Sequence, residues 1–189
     1  MLIYLYINRK MTNKEMRTKL PKIITVVGPT ASGKSDLAVE IALQIGGEVI
    51  SADSRQVYRG LDIGSGKITK FEMRRVPHHL LDVADPKKQF SVVQYRQHAI
   101  VAITDILARG KVPIICGGTG FYIDALVGSI VIPEVPPNKM LRAQLGKKNA
   151  TQLFLILQKL DPRRAGDVDA QNPVRLIRAI EIARSIGSV

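Results

Sequence analysis

The sequence predicts an α/β protein, a three-layer fold on a parallel sheet with an appended helical segment. Three observations carry that expectation. Short β-branched runs (Ile23–Val27, 48–53 and 113–116) alternate with stretches of helical spacing. A glycine-rich loop, Gly28-Pro29-Thr30-Ala31-Ser32-Gly33-Lys34-Ser35, joins the first run to the first helical stretch. Past Pro133, Pro136 and Pro137 the pattern is helical throughout. The loop fits G-x-x-x-x-G-K-[ST] with no mismatch, between a strand pattern and a helix pattern, so the sheet is expected to be P-loop NTPase-like.

The spacing of that loop has a chemical reason. Gly28 and Gly33 let the backbone turn tightly, so that successive N–H groups face phosphate oxygens. The helix that follows adds its N-terminal partial positive charge. Lys34 brings a full charge, and the Ser35 hydroxyl can ligate Mg²⁺. A diphosphate or triphosphate is the expected ligand. The loop alone does not say what is done with it.

In chain order, residues 1–21 show neither helical nor strand periodicity and are expected to be an unstructured extension. The α/β core is expected over 22–128. Its first helix carries Leu37, Ala38, Ile41, Ala42 and Ile45 on one side and stops at Gly46-Gly47. The run 48–53 delivers Asp53 at a strand's carboxyl end, the edge where open parallel sheets bind ligands. Gly60, Gly64 and Gly66 make the next segment mobile or tightly turned, and Lys67, Lys70, Arg74 and Arg75 follow it as a basic group. His78-His79 lacks partners at ligand spacing and reads as structural or substrate-facing rather than as a zinc site. Ser91 is positioned to cap a long helix that Gly110 ends. The run 113–116 leads to a second glycine turn, Gly117-Gly118-Thr119-Gly120, whose glycines suggest close backbone approach to a ligand. Cys116 sits inside the strand as a core residue. A helix over 121–127 ends the core. A helical segment over 129–171 and a last helix over 172–189 returning to the core complete the expected division. Helices are expected at Lys139–Leu145, 151–160 and Pro173–Ile186. Asn172 caps the last of these, with Pro173 at its first position and Gly187 beyond its end.

Composition narrows the function. In 189 residues, 46% of them apolar, one ordinary domain and a small appendage can form a proper core. No apolar run reaches the ~18–20 residues that cross a bilayer, and the apolar opening lacks the marks of a signal peptide. The single cysteine excludes an internal disulfide and fits a reducing, cytoplasmic setting. The net charge of +12 exceeds what a small phosphate ligand requires. From Lys139 onward ten basic residues face four acidic ones, which favours a polyanionic partner.

Five blocks together resemble one family, the tRNA dimethylallyltransferases, also called tRNA isopentenyltransferases. They are GPTASGKS at 28–35, SADSRQVY at 51–58 with Asp62-Ile63-Gly64, PHHLLD at 77–82, GGTGFYI at 117–123 and NPVRLIRA at 172–179. The resemblance spans 22–187, and members of the family continue for about a hundred residues more, which implies a chain short at its C-terminus. It implies transfer of a dimethylallyl group from dimethylallyl diphosphate to the N6 amine of the adenine next to the anticodon. The partner implied is the tRNA anticodon stem-loop, the cofactor Mg²⁺ held by Ser35, and the state a monomer.

Carried over by position, Gly28, Pro29, Thr30, Ala31, Ser32, Gly33, Lys34 and Ser35 hold the diphosphate. Asp53, Lys34 and Thr119 form the catalytic set, with Asp53 as general base. Asp53, Ser54, Arg55, Gln56, Thr119, Arg142, Val174, Arg175, Leu176, Ile177 and Arg178 meet tRNA. The chemistry is consistent with those roles. A carboxylate of ordinary pKa (~3.9) is too weak to deprotonate a neutral aryl amine. It can accept the proton as the new N–C bond makes the nitrogen cationic. Lys34, the loop amides and Mg²⁺ at Ser35 would stabilise the departing diphosphate, and an anticodon loop is a cheap place to unstack a base. A carboxylate at this strand end could instead hold magnesium, as in ATP-using proteins. An ATP-dependent small-molecule kinase, a prenyltransferase for free adenine nucleotides and an inactive RNA-binding fragment are the competing readings.

Overall fold

The computed structural model describes residues 2–6, 23–128, 130 and 132–187. It divides into two compact units, Met1–Val131 and Ile132–Val189.

The first unit is built on a five-stranded sheet. Its strands are β1 (Leu2–Tyr6), β2 (Ile23–Val27), β3 (Glu48–Ser51), β4 (His78–His79) and β5 (Pro113–Gly117), in the order β1-β2-β5-β3-β4. Four strands run parallel: Ile24 and Val49 both pair with Ile114, and Val49 also pairs with His78. Helices α1 (Lys34–Ile45), α2 (Val92–Ala108) and α3 (Gly120–Val127) cover the two faces. Alternation along the strands sorts the core into layers. Val26, Val49, Ile114 and Cys116 pack on Ala38, Val39 and Ala42 of α1. Ile50, Ala52 and Ile115 pack on Tyr95, Ala99 and Ile106 of α2 and Tyr122 of α3. The Tyr95 and Tyr122 rings stack with centroids 3.9 Å apart. Each valine or isoleucine side chain so buried contributes about 1.5–3 kcal/mol.

The punctuation is as the sequence implies. Gly46 ends α1 in the left-handed region at φ 67°, and Ser91 forms a capping box with Gln94 at the start of α2.

The second unit contains α4 (Lys139–Leu145), α5 (Ala150–Leu160), α6 (Pro162–Asp167) and α7 (Pro173–Ile186). Each begins on an Asn or Asp whose side chain accepts an N–H of the first turn: Asn138, Asn149, Asp161 and Asn172. Leu145, Leu153, Leu157, Ala165, Leu176, Ala179 and Ile180 form its core.

One expectation is corrected. Leu2–Tyr6 is a strand, antiparallel to β2, rather than part of an unstructured extension; residues 7–22 lie outside the described set. Within the helical unit α7 packs Leu176, Ala179 and Ile180 with Leu153 and Leu157 of α5. Helix α6 and the two-residue β4 were not anticipated. Pro162 and Gly166 disguise the first, and the second is shorter than any periodic signal.

Candidate phosphate site and basic helical face

The loop between β2 and α1 sets out its backbone as the motif requires. Gly33 stands at φ 76° and Ala31 at φ 62°, left-handed conformations that turn the chain back on itself. A Cβ on Gly28 would come within 2.8 Å of Ser32 Oγ. Gly33 occupies the N-cap of α1 and has no side chain to satisfy the helix's first N–H groups, which leaves them for an anion. Lys34 reaches over the loop and donates to the Pro29 carbonyl at 3.0 Å. Among the described residues the buried Ser32 hydroxyl has no hydrogen-bond partner, a donor beside the open N–H groups of the loop.

Asp53 lies two residues past β3, and the second glycine turn fixes it there. Thr119 occupies the N-cap of α3, yet its hydroxyl does not cap that helix. Oγ1 instead accepts the Ser54 N–H at 2.9 Å, and the Thr119 N–H donates to the Ala52 carbonyl at 3.1 Å. Oδ1 of Asp53 accepts the N–H groups of Arg55 (2.8 Å) and Gln56 (3.3 Å), which locks the carboxylate at the turn. Two neighbours register its charge. Burial pushes the Cys116 thiol up to about 11, with Lys34 pulling down and Asp53 pushing up. Burial, Tyr58 and Asp53 together push the Tyr122 phenol up to about 12. Cys116 thus stays a protonated core thiol beside both charges, and Lys34 and Asp53 share one edge of the sheet.

The glycines of the second turn have separate reasons. A Cβ on Gly117 would stand 2.2 Å from the Ala52 carbonyl oxygen, so the close approach there is to the chain's own backbone and not to a ligand. A Cβ on Gly118 would face Gly28 and Lys34 instead, at 3.3 and 4.0 Å. An apolar cavity of about 610 Å³ lies against these turns, lined by Thr25, Val27, Gly28, Gly117 and Ile123 among others.

The loop after Asp53 is tightly turned. Lys67 is nearly buried and binds Asp62 at 2.7 Å, Asp82 at 2.5 Å and the Tyr58 carbonyl at 2.9 Å. Gln56 donates to Gly66 at 3.1 Å. Two of the four expected basic residues therefore carry partners, Lys67 with its aspartates and Arg74 with Glu40. His79 donates from Nε2 to Glu48 at 2.7 Å, and Glu48 also binds Lys111 at 2.7 Å and the forked guanidinium of Arg109. These hydrogen bonds hold the buried Glu48 carboxyl well below the usual range, that from Arg109 foremost.

In the helical unit, the expected RNA contacts separate. Val174 is 78% exposed and the Arg175 side chain 66%, the latter 3.9 Å from Asp169. Leu176 is fully buried in the helical core and cannot present its side chain to RNA, and Ile177 is partly packed there. Consecutive residues on a helix point in successive directions, so five in a row cannot share one surface. Arg142 and Arg178 both bind the buried Glu181. Glu181 gave no signal in the sequence, because Arg142 lies on another helix.

The two units thus define a class: a P-loop NTPase-like α/β unit followed in the chain by a basic helical unit. A family model described as IPP transferase matches residues 56–189, and the chain belongs to that family. The tRNA dimethylallyltransferase of Leuconostoc citreum (strain KM20) is 47% identical over 165 residues, 87% of this chain and 56% of the relative. The crystal structure of the tRNA isopentenylpyrophosphate transferase of Bacillus halodurans is 42% identical, with a TM-score of 0.58 over 87% of this chain and 55% of that one. A eukaryotic dimethylallyltransferase, captured crystallographically acting on tRNA, is 30% identical with a TM-score of 0.74 over 84% of this chain and 40% of that one. The chain spans about half the length of the curated relatives it matches. Among the described residues, no helix is long and apolar enough to cross a membrane.

Proposed function

We propose that this chain carries the donor site and part of the RNA face of a tRNA dimethylallyltransferase. Dimethylallyl diphosphate is the donor and the N6 amine of the adenine beside the anticodon is the acceptor. The observation that supports the reading is the second glycine turn, where Gly118 faces Lys34, Thr119 accepts the Ser54 N–H next to Asp53, and Cys116 feels both charges.

The loop amides, the Ser32 hydroxyl and Lys34 grip the diphosphate, and the apolar cavity at Gly28 and Gly117 accepts the hydrocarbon chain. The allylic C1–O bond breaks with its electron pair going to the diphosphate, whose new charge Lys34 and the loop amides stabilise. C1 bonds to N6, and the amine proton passes to the Asp53 carboxylate as the nitrogen becomes cationic. Thr119 and the Arg55 and Gln56 N–H groups keep that carboxylate in place. Mg²⁺ takes few protein oxygens and keeps waters and phosphate oxygens, so the Ser35 hydroxyl would suffice to hold it at the loop. When bound it would neutralise diphosphate charge.

The test is single-turnover transfer to an anticodon stem-loop, read by the mass of the modified adenosine, with the Leuconostoc citreum relative as positive control. Prenylated adenosine from this chain supports the proposal. Transfer by the relative alone makes this chain a binding module without activity of its own.

A further inference from the structure

Glu181 is a carboxylate at 2% exposure in α7, and it is fully occupied. Oε1 accepts the Asn138 N–H at 2.6 Å and Arg142 Nε at 2.9 Å. Oε2 accepts Arg142 Nη2 at 2.7 Å and Arg178 Nη1 at 2.5 Å. Arg142 is therefore held by a two-pronged fork, the geometry that fixes a guanidinium plane. Since both arginines bind the same oxygen, their two nitrogens lie no more than about 5 Å apart. Two cations on different helices would otherwise repel at that distance.

The carboxylate is hidden while the cations are not. The Arg142 and Arg178 side chains are 39% and 33% exposed, and their remaining N–H groups have no protein acceptor among the described residues. A cavity of about 500 Å³ beside the cluster adds Lys139 and Arg184 to its walls. Glu181 also lines that cavity, and the two guanidinium groups bound to it offset its charge. That arrangement suits one phosphate, which two converging guanidinium groups can grip together.

We propose that Glu181 is a positioning residue that sets Arg142 and Arg178 as a paired anchor for a single backbone phosphate of the RNA. The inference rests on the RNA-binding reading above. Pinning α4 to α7 is the alternative role, and the sign of one effect separates the two. Glu181→Gln removes a negative charge, so general electrostatics predicts tighter RNA binding, whereas loss of positioning predicts weaker binding.

The experiment measures the affinity of the full chain for an anticodon stem-loop across a potassium chloride series, with helix content recorded by circular dichroism. Glu181→Gln is expected to weaken binding roughly tenfold and to lower the slope of log affinity against log salt by about one. Arg142→Lys keeps the net charge but loses the fork, and is expected to weaken binding several-fold even should Glu181→Gln fail to fold. Adding Arg178→Ala to Glu181→Gln should cost little more, as for residues acting through one contact. Binding by a folded Glu181→Gln that is unchanged or tighter overturns the positioning role while leaving RNA binding intact. So does unchanged binding by Arg142→Lys. A wild-type chain that binds no stem-loop overturns the RNA-binding reading itself.

Discussion

In the proposed function the phosphate loop and the arginine cluster both receive anions, and they are built by opposite means. In the loop the backbone does the work: positive φ at Ala31 and Gly33, an uncapped helix start, and one lysine resting on a carbonyl. In the helical unit side chains do it, with two guanidinium groups oriented by a buried acid from a third position. A backbone-built site should lose chemistry without losing structure when one side chain changes. A side-chain-built cluster should lose geometry and stability together.

The largest effect that sharpens this contrast is expected at Asp53. Asp53→Asn keeps an oxygen to accept the Arg55 and Gln56 N–H groups, so the turn should survive. It cannot take up a proton, and single-turnover transfer should fall by about 10²–10⁴-fold with RNA and diphosphate affinities nearly unchanged. Near-normal transfer would send the proton to water or phosphate and reduce Asp53 to a positioning or magnesium-holding group.

Next in size is a test that could break the contrast from inside the first unit. Glu48 begins β3, at the opposite end of the strand from Asp53, and its site is made of side chains: Arg109, Lys111 and His79. Glu48→Gln is expected to cost about 3 kcal/mol in urea unfolding, the low end for a broken buried pair because its partners are part-exposed. Donor affinity should not move. A change in diphosphate affinity at constant stability would mean the two ends of β3 are not independent.

The smallest effect is a shift with pH. Both buried carboxyls are depressed, Glu48 well below its usual range and Glu181 to about 2, where burial is outweighed by Arg142, the Asn138 N–H and Arg178. Groups depressed in the folded state stabilise it above their unfolded pKa, and that contribution is lost as pH falls through the folded value. Melting temperature should therefore decline from about pH 4.5 toward pH 2. Glu181→Gln should make that decline shallower; an unchanged slope would show that Glu181 is not a depressed group.

The same contrast explains what the sequence could reveal. The loop was legible because backbone geometry needs particular residues at fixed spacing, and the glycines and Lys34-Ser35 stand in one contiguous run. The strands Ile23–Val27 and Glu48–Ser51 and the capped helices were legible from β-branched runs and Asn or Ser caps. Glu181 was not, since its partner Arg142 is 39 residues away and no local pattern links them. Leu176 is buried while nearby Val174 is exposed, because a contiguous motif on a helix mixes core and surface positions. The strand Leu2–Tyr6 escaped notice because its pairing with β2 is a long-range fact that its own residues do not announce.

The central claim is that the loop serves a prenyl diphosphate rather than a nucleotide triphosphate. Calorimetric titration of the chain with dimethylallyl diphosphate and, separately, with ATP in magnesium tests it most directly, with Lys34→Ala as the control that removes one full charge while leaving the backbone cradle. The account predicts preference for dimethylallyl diphosphate, lost in Lys34→Ala without a change in melting temperature. Tighter binding of ATP, with measurable ATP turnover, would contradict it and make this chain a kinase.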